Sequence, residues 1–436
     1  MRQITFSPYN KILTNCNVWT EDGKRIVYDV RSDLEGSVFD GTRIESVNVE
    51  TGETEVLYRS QNGASCGVAT CSPSDDRIVF IHGPENPTTD WNYGPTRRRG
   101  TILHPDGKAE TLDGCQLASP FVPGSLRGGS HVHVFSGDGA WVSFTYQDEL
   151  LRWWDESRPI EPHDPDQRNV GVSIPIAPTP FYPHHPRNHV GTHFSVLVTR
   201  TVAKPQPGSD EIEKAYEDAW VGTDGYTKSN GKRQKKAIAF LGDLISSDGK
   251  KFTEVFLVNL PENPAEMQRE GDGPLAGTET RRPLPPKNVT QKRLTFTETR
   301  TFPGVQGPRH WVRSSPDGSR IAFLFRDDRG IVQLGFVSPN GGAITAITAN
   351  PWNVESAFTW SPDGNSIAYI MDRSVFLTTE IGKTDQQTVR RTPQTEDAFD
   401  APFPLAVVFS PNGQKVAFLK NVLHENGKRY NQIFCV

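Results

Sequence analysis

Sulfur is scarce in this chain: five cysteines and three methionines in 436 residues. Cys16, Cys66, Cys71, Cys115 and Cys435 are odd in number and none stands at a metal-type spacing. That argues against a zinc knuckle or a disulfide framework and for free thiols in a reducing compartment. Neither sign of charge dominates, since 47 Lys and Arg oppose 52 Asp and Glu for a net charge of −5. No nucleic-acid or anionic-membrane partner is expected on that balance. No apolar run approaches a membrane span, and Met1–Phe6 has no apolar signal core, so a cytoplasmic location is expected. What the chain has in quantity is turn chemistry: 38 Gly and 34 Pro, with hydrophobic residues at 35%. Many short strands suit that composition better than helices do.

One unit recurs, a short apolar strand, a tight Asp-Gly turn and a second strand. Its copies are Ser130–Phe144 (Ser136-Gly137-Asp138-Gly139), Trp311–Phe323 (Ser315-Pro316-Asp317-Gly318), Phe358–Tyr369 (Ser361-Pro362-Asp363-Gly364) and Val407–Phe418 (Ser410-Pro411-Asn412-Gly413). Looser copies lie at Trp19–Tyr28 and Thr70–Phe80. Gly318 to Gly364 is 46 residues and Gly364 to Gly413 is 49. A period of this length with strands in every unit predicts an all-β, seven-bladed β-propeller forming a single domain over residues 1–436. The blades are expected near 14–58, 64–112, 128–175 and 190–297, with three more beginning near 308, 354 and 404.

Arg2–Phe6 echoes Lys292–Phe296, an outermost strand, while the last unit has three strands and no fourth. The N-terminal strand is therefore expected to complete the last blade and remove its open edge. The fourth blade is oversized. Gly191–Val198 is expected as its first strand, followed by an insertion at about 203–236. There Ile212, Ala215, Tyr216, Ala219 and Trp220 fall at helical spacing and predict a short amphipathic helix over 209–221. The polar, basic stretch 222–236 reads as a mobile loop.

Inner strands of a propeller line its channel, so equivalent positions form a ring. His131 stands eight residues before Gly139 and His310 eight before Gly318, while Gly191-Thr192-His193 matches Gly129-Ser130-His131. His131, His193 and His310 are thus expected at one level, with His133 on the same side of its strand by period-two alternation. Convergent imidazoles suit a divalent metal, Mn²⁺ or Zn²⁺ or else Ca²⁺, with no organic cofactor. His82 ends a second strand and so shares a mouth with the start of the His131 strand. The polar loop after it runs to Arg97-Arg98-Arg99 and is expected to wall that mouth, joined by Pro175–Asn188 with Tyr182, His184, His185 and Arg187, and His189 next to it.

These repeats resemble TolB-type propeller repeats. Nearly the full length resembles the bacterial YidR-like proteins, through Phe80-Ile81-His82-Gly83-Pro84-Glu85-Asn86-Pro87, Arg127-Gly128-Gly129-Ser130-His131-Val132-His133, Pro308-Arg309-His310-Trp311-Val312-Arg313 and Pro207–Ile212. Against that family Gly225–Lys236 is extra sequence. More distantly, Val79–Pro84 is similar to the Phe-x-His-x-Gly-Pro segment of the oligogalacturonate lyases, metal-binding seven-bladed propellers, with a one-residue shift. The second histidine of a His-x-His pair falls in blade 3 here and in the last blade there. The resemblance implies a metal-dependent lyase acting on a uronate or keto-sugar, a small sugar or oligosaccharide substrate. His82 would be the general base and Arg98 or Arg309 would hold developing charge; Arg97, Arg99, Arg127, Tyr182 and His189 would bind substrate. A hydrolase or epimerase on the same site is an alternative, and so is a non-catalytic propeller that binds a protein or peptide at its mouth.

Overall fold

A computed structural model describes residues 1–180 and 185–436; Tyr182 and His184 lie outside the described residues. Seven four-stranded antiparallel sheets follow one another along the chain. Their innermost strands are Asn10–Ile12, Cys66–Cys71, Gly128–Phe135, Lys214–Trp220, Arg313–Ser314, Thr359–Trp360 and Pro402–Phe409. In the last sheet, Pro402–Phe409, Val416–Leu423 and Arg429–Cys435 are followed by Arg2–Gln3, with Arg2 opposite Cys435. First and last blades therefore share a core, in which Leu13, Trp19 and Ile26 pack with Ala406, Leu419 and Ile433.

The repeat signature has a local cause. Gly139, Gly318, Gly364 and Gly413 all sit at φ between 68° and 75°, the left-handed region open to glycine. Each donates its N–H to the carbonyl of the serine three residues earlier. The same serine's hydroxyl donates to the Asp or Asn side chain between them, as from Ser315 to Asp317 at 2.6 Å. Serine, aspartate and glycine thus close one turn together, which is why they recur as a unit.

The fourth blade departs from expectation. Phe194–Leu197 pairs with Asn169–Ile174 and is the outermost strand of blade 3. Blade 4 begins instead at Lys214–Trp220, where a helix was expected. That strand carries a β-bulge between Tyr216 and Ala219, with Glu217 at φ 53°. One inserted residue resets the in–out alternation: Ala215 and Trp220 pack toward the core shared with blade 3, Tyr216 and Ala219 toward the core shared with blade 5, so apolar residues recur at the three- and four-residue spacing of a helix. The stretch after it is a hairpin, Tyr226–Thr227 paired with Arg233–Gln234, and not a loose loop. Tyr226 is buried there and donates its hydroxyl to Asn259 at 3.0 Å. A helix the periodicity did not indicate, Glu149–Ser157, follows blade 3's second strand and is capped by the Asp148 carboxylate.

Candidate functional site

The expected histidine ring does not assemble. His193 precedes an outer strand of blade 3, while His131 lies on the inner strand of blade 3 and His310 just before that of blade 5. His310 has no nitrogen to spare. Its Nδ1–H donates to the Pro308 carbonyl at 2.9 Å, and Nε2 accepts the Leu324 backbone N–H at 3.1 Å. In blade 6 the residue eight before the turn glycine is Ser356, whose hydroxyl accepts the Ile370 N–H at 2.9 Å. The imidazole therefore does the job of a serine, satisfying a backbone donor beside the inner strand.

His133 is committed as well. A bulge between His131 and Val134, with Val132 at φ 54°, breaks the alternation that would have aimed both rings alike. His133 Nε2 lies 2.9 Å from the Ser130 hydroxyl, which itself donates to Asp113 at 2.9 Å. Ser130 and His133 are fully buried, so this Asp-Ser-His chain staples blade 2 to blade 3 and exposes no nucleophile. Burial, with Arg98 nearby, pushes the His133 pKa down to about 3. His131 keeps an unpartnered Nδ1, but its charged neighbours are the guanidinium groups of Arg98, Arg168 and Arg309. Cationic surroundings repel a divalent ion. Among the described residues no group of three or more His, Cys, Asp or Glu is arranged to hold one. The residues present do not fit the expected metal.

What does converge is the other half of the expected site. A pocket of about 240 Å³ is lined by His82, Arg97, Arg98, Arg99 and His189, together with Glu85, Trp91, Arg187 and Asn188. Strand pairing builds it: His82, last in its strand, stands opposite Arg99, first in the next. The loop between them then folds over the mouth, and the Arg98 carbonyl accepts the Ser130 N–H at 3.2 Å, tying it to blade 3.

His82 is buried, and its ring sits edge-on to Tyr58 at 6.0 Å. Its Nδ1 is 2.7 Å from the Gly83 carbonyl, which can only accept, so Nδ1 carries the proton and Nε2 is the basic nitrogen. No side-chain or backbone partner engages Nε2 among the described residues. Burial first, and Arg99 second, hold the His82 pKa below its ordinary value, so the ring is neutral at pH 7. His189 is pushed lower, to about 4, by burial and then Arg99.

The arginines divide by partner. Arg97 is bound to Glu149 at 2.7 Å and Arg99 to Glu85 at 3.0 Å. Arg187 donates to the carbonyls of Glu85 and Asn86, and Arg98 donates to the Tyr93 hydroxyl at 3.0 Å, so neither meets a carboxylate. The guanidinium groups of Arg97 and Arg187 both stand over the Trp91 ring, 4.6 and 5.6 Å from its centre. Among the described residues, Arg98 Nε, Arg99 Nε, Asn188 Nδ2 and His189 Nε2 are buried without any hydrogen-bond partner. Orphaned donors in such number around one cavity call for an oxygen-rich ligand or water.

Two further expectations move away from this pocket. Arg127 is fully buried against Asp148 at 2.6 Å and is a structural ion pair. Arg309 binds Glu217 at 2.8 Å beside a separate cavity of about 150 Å³. Trp91, Glu85 and Asn188 lie in the stretches expected to wall the mouth but were not singled out as site residues. The length and polarity of the 83–98 loop was the available signal, but it singles out none of them.

A family profile described as "Protein of unknown function (DUF3748)" matches residues 65–189, and every residue lining the pocket falls within it. The chain is 46% identical over 422 residues to "Uncharacterized protein YidR" of Escherichia coli K12, covering 96% of this chain and 95% of that one. Among solved structures it is similar to an oligogalacturonate lyase in complex with manganese, at 10% identity and TM-score 0.53, over 98% of this chain and 89% of that chain. It is likewise similar to the oligogalacturonate lyase of Vibrio parahaemolyticus, at 11% identity and TM-score 0.50, over 99% and 92%. At such identities these likenesses speak for the propeller fold alone.

Proposed function

The chain belongs to the family of the Escherichia coli protein YidR, and from that premise we propose that it is an enzyme acting on an anionic sugar in the His82 pocket, by β-elimination from a uronate. The observation that carries this reading is the pairing, in one 240 Å³ cavity, of an imidazole with a free Nε2 and guanidinium groups that lack carboxylate partners. A uronate carboxylate supplies the missing acceptor for Arg98 and Arg187.

In the reaction, His82 Nε2 takes the proton from the carbon beside the carboxylate. The freed electron pair passes into the carboxylate as an enolate, whose extra charge the guanidinium groups stabilise. The pair then returns to form the carbon–carbon double bond, the β carbon–oxygen bond breaks, and the departing oxygen takes the proton back from the His82 imidazolium. No step passes through a metal. Because the His82 pKa lies below its ordinary value, the base form persists as pH falls through about 6.5.

The test is absorbance of the unsaturated product when the protein meets a panel of uronate oligosaccharides. Turnover that disappears in His82→Ala supports the reading. A uronate that binds and comes back epimerised, with no unsaturated product, would replace elimination by proton return. No binding of any uronate would leave the pocket to another ligand class and end the proposal.

A further inference from the structure

The opposite end of the channel holds a second cavity that the reaction above does not use. It has a volume of about 340 Å³ and every blade contributes to it, through Trp19, Cys71, Phe135, Trp220, Arg313, Trp360 and Phe409 in blade order. The aromatic side chains stand four residues before their turn glycine in blades 1, 3, 6 and 7, so the repeat itself produces a ring of flat apolar surfaces. Each indole N–H is already used. Trp19, Trp220 and Trp360 donate to the carbonyls of Val408, Val134 and Arg313 at 3.1, 3.0 and 3.0 Å, which clamps each ring to a neighbouring inner strand. What they present inward is apolar.

Arg313 breaks that apolar wall. It is 9% exposed, and its side chain reaches across the channel from blade 5 to blade 1, where Nη2 donates to the Asn15 side-chain and backbone oxygens. Nη1 has only the Val312 carbonyl, at 3.4 Å. All these acceptors are neutral, and among the described residues Glu21, exposed at the rim, is the only acid that lines the cavity. A nine-tenths buried guanidinium with no counter-ion is costly to hold. Its planar fork matches a carboxylate, and the cavity falls in the size range of small-ligand sites.

We propose that this cavity is a binding site for a small arylcarboxylate, whose carboxylate pairs with Arg313 while its ring packs among Trp19, Trp220 and Trp360. One guanidinium calls for a single negative charge. The aromatic wall calls for a flat apolar body rather than a sugar, so the site differs in ligand class from the His82 pocket.

Calorimetric titration with benzoate and phenylacetate, each against its neutral amide, tests this on the intact protein. The expected result is at least 10-fold tighter binding of the acids, lost in Arg313→Met and unchanged in Arg98→Gln. Should Arg313→Met fail to fold, the acid-against-amide comparison on the parent protein still decides, read with indole resonances of Trp19, Trp220 and Trp360 in an NMR titration. Equal affinity for acid and amide, no binding of either, or loss of binding in Arg98→Gln but not in Arg313→Met would each overturn the proposal.

Discussion

His82 and His310 are both buried neutral imidazoles beside the channel, and they differ in one respect. His82 spends one nitrogen on the Gly83 carbonyl and keeps Nε2 free, at a pocket where Arg98 and Arg187 lack carboxylates. His310 spends both, one on Pro308 and one on the Leu324 N–H. Burial and pKa depression are therefore common to the proposed base and to a structural histidine. The count of unspent lone pairs separates them, and a lone pair already holding a backbone N–H can accept neither a substrate proton nor a metal.

The strongest way to break this contrast is to truncate both rings. His82→Ala is expected to lower turnover on an authenticated uronate by roughly 10²-fold or more, the scale for losing a general base, with little change in melting temperature. Equal turnover in the variant would move the base elsewhere. His310→Ala should do the reverse. It strands the Leu324 N–H and the Pro308 carbonyl and leaves a void, for a loss of about 3 kcal/mol in urea unfolding. An unfolding midpoint that does not move would mean that His310 is not the strand's hydrogen-bond partner.

Arg98→Gln sharpens the pocket side, because it keeps a donor but removes the charge. kcat/KM should fall about tenfold or more, through both a higher KM and a lower kcat, because a charged hydrogen bond of about 1.5 kcal/mol to the carboxylate is lost and the enolate loses a stabilising charge. A drop confined to kcat would instead put Arg98 on the transition state alone.

Acid pH sharpens the structural side. His310, at about 4, and His133, at about 3, bind protons less readily in the folded chain than at the ordinary histidine value near 6.5. The unfolded chain therefore holds more protons, and stability falls as pH drops below about 6.5, by up to about 1.4 kcal/mol per unit for each such histidine. For His310 the loss ends near pH 4 and for His133 near 3. Urea unfolding at pH 7.5, 6 and 5 measures it, and a flat profile would contradict their burial as neutral rings. The smallest effect belongs to the serine that stands in for His310 in blade 6. Ser356→Ala should cost about 1 kcal/mol, visible as a small shift of the thermal midpoint.

The sequence alone determined the propeller, because its information is local: Ser, Asp or Asn, and Gly close one turn within four residues, and that turn recurs in blades 3, 5, 6 and 7, with looser copies in blades 1 and 2. It also determined that His82, Arg97, Arg98, Arg99 and His189 share a mouth, since strand direction fixes which ends of neighbouring strands lie on one face. Only the tertiary structure decided which histidines are free. The partners that engage them come from other strands: Leu324 lies 14 residues beyond His310, and Asp113, which holds the Ser130 hydroxyl bound to His133, belongs to the chain before the His131 strand. It decided blade 4 as well, where one bulged residue at Glu217 gave a strand the spacing of a helix. Periodicity reads side-chain direction only while the backbone stays regular, and at Val132 and Glu217 it does not.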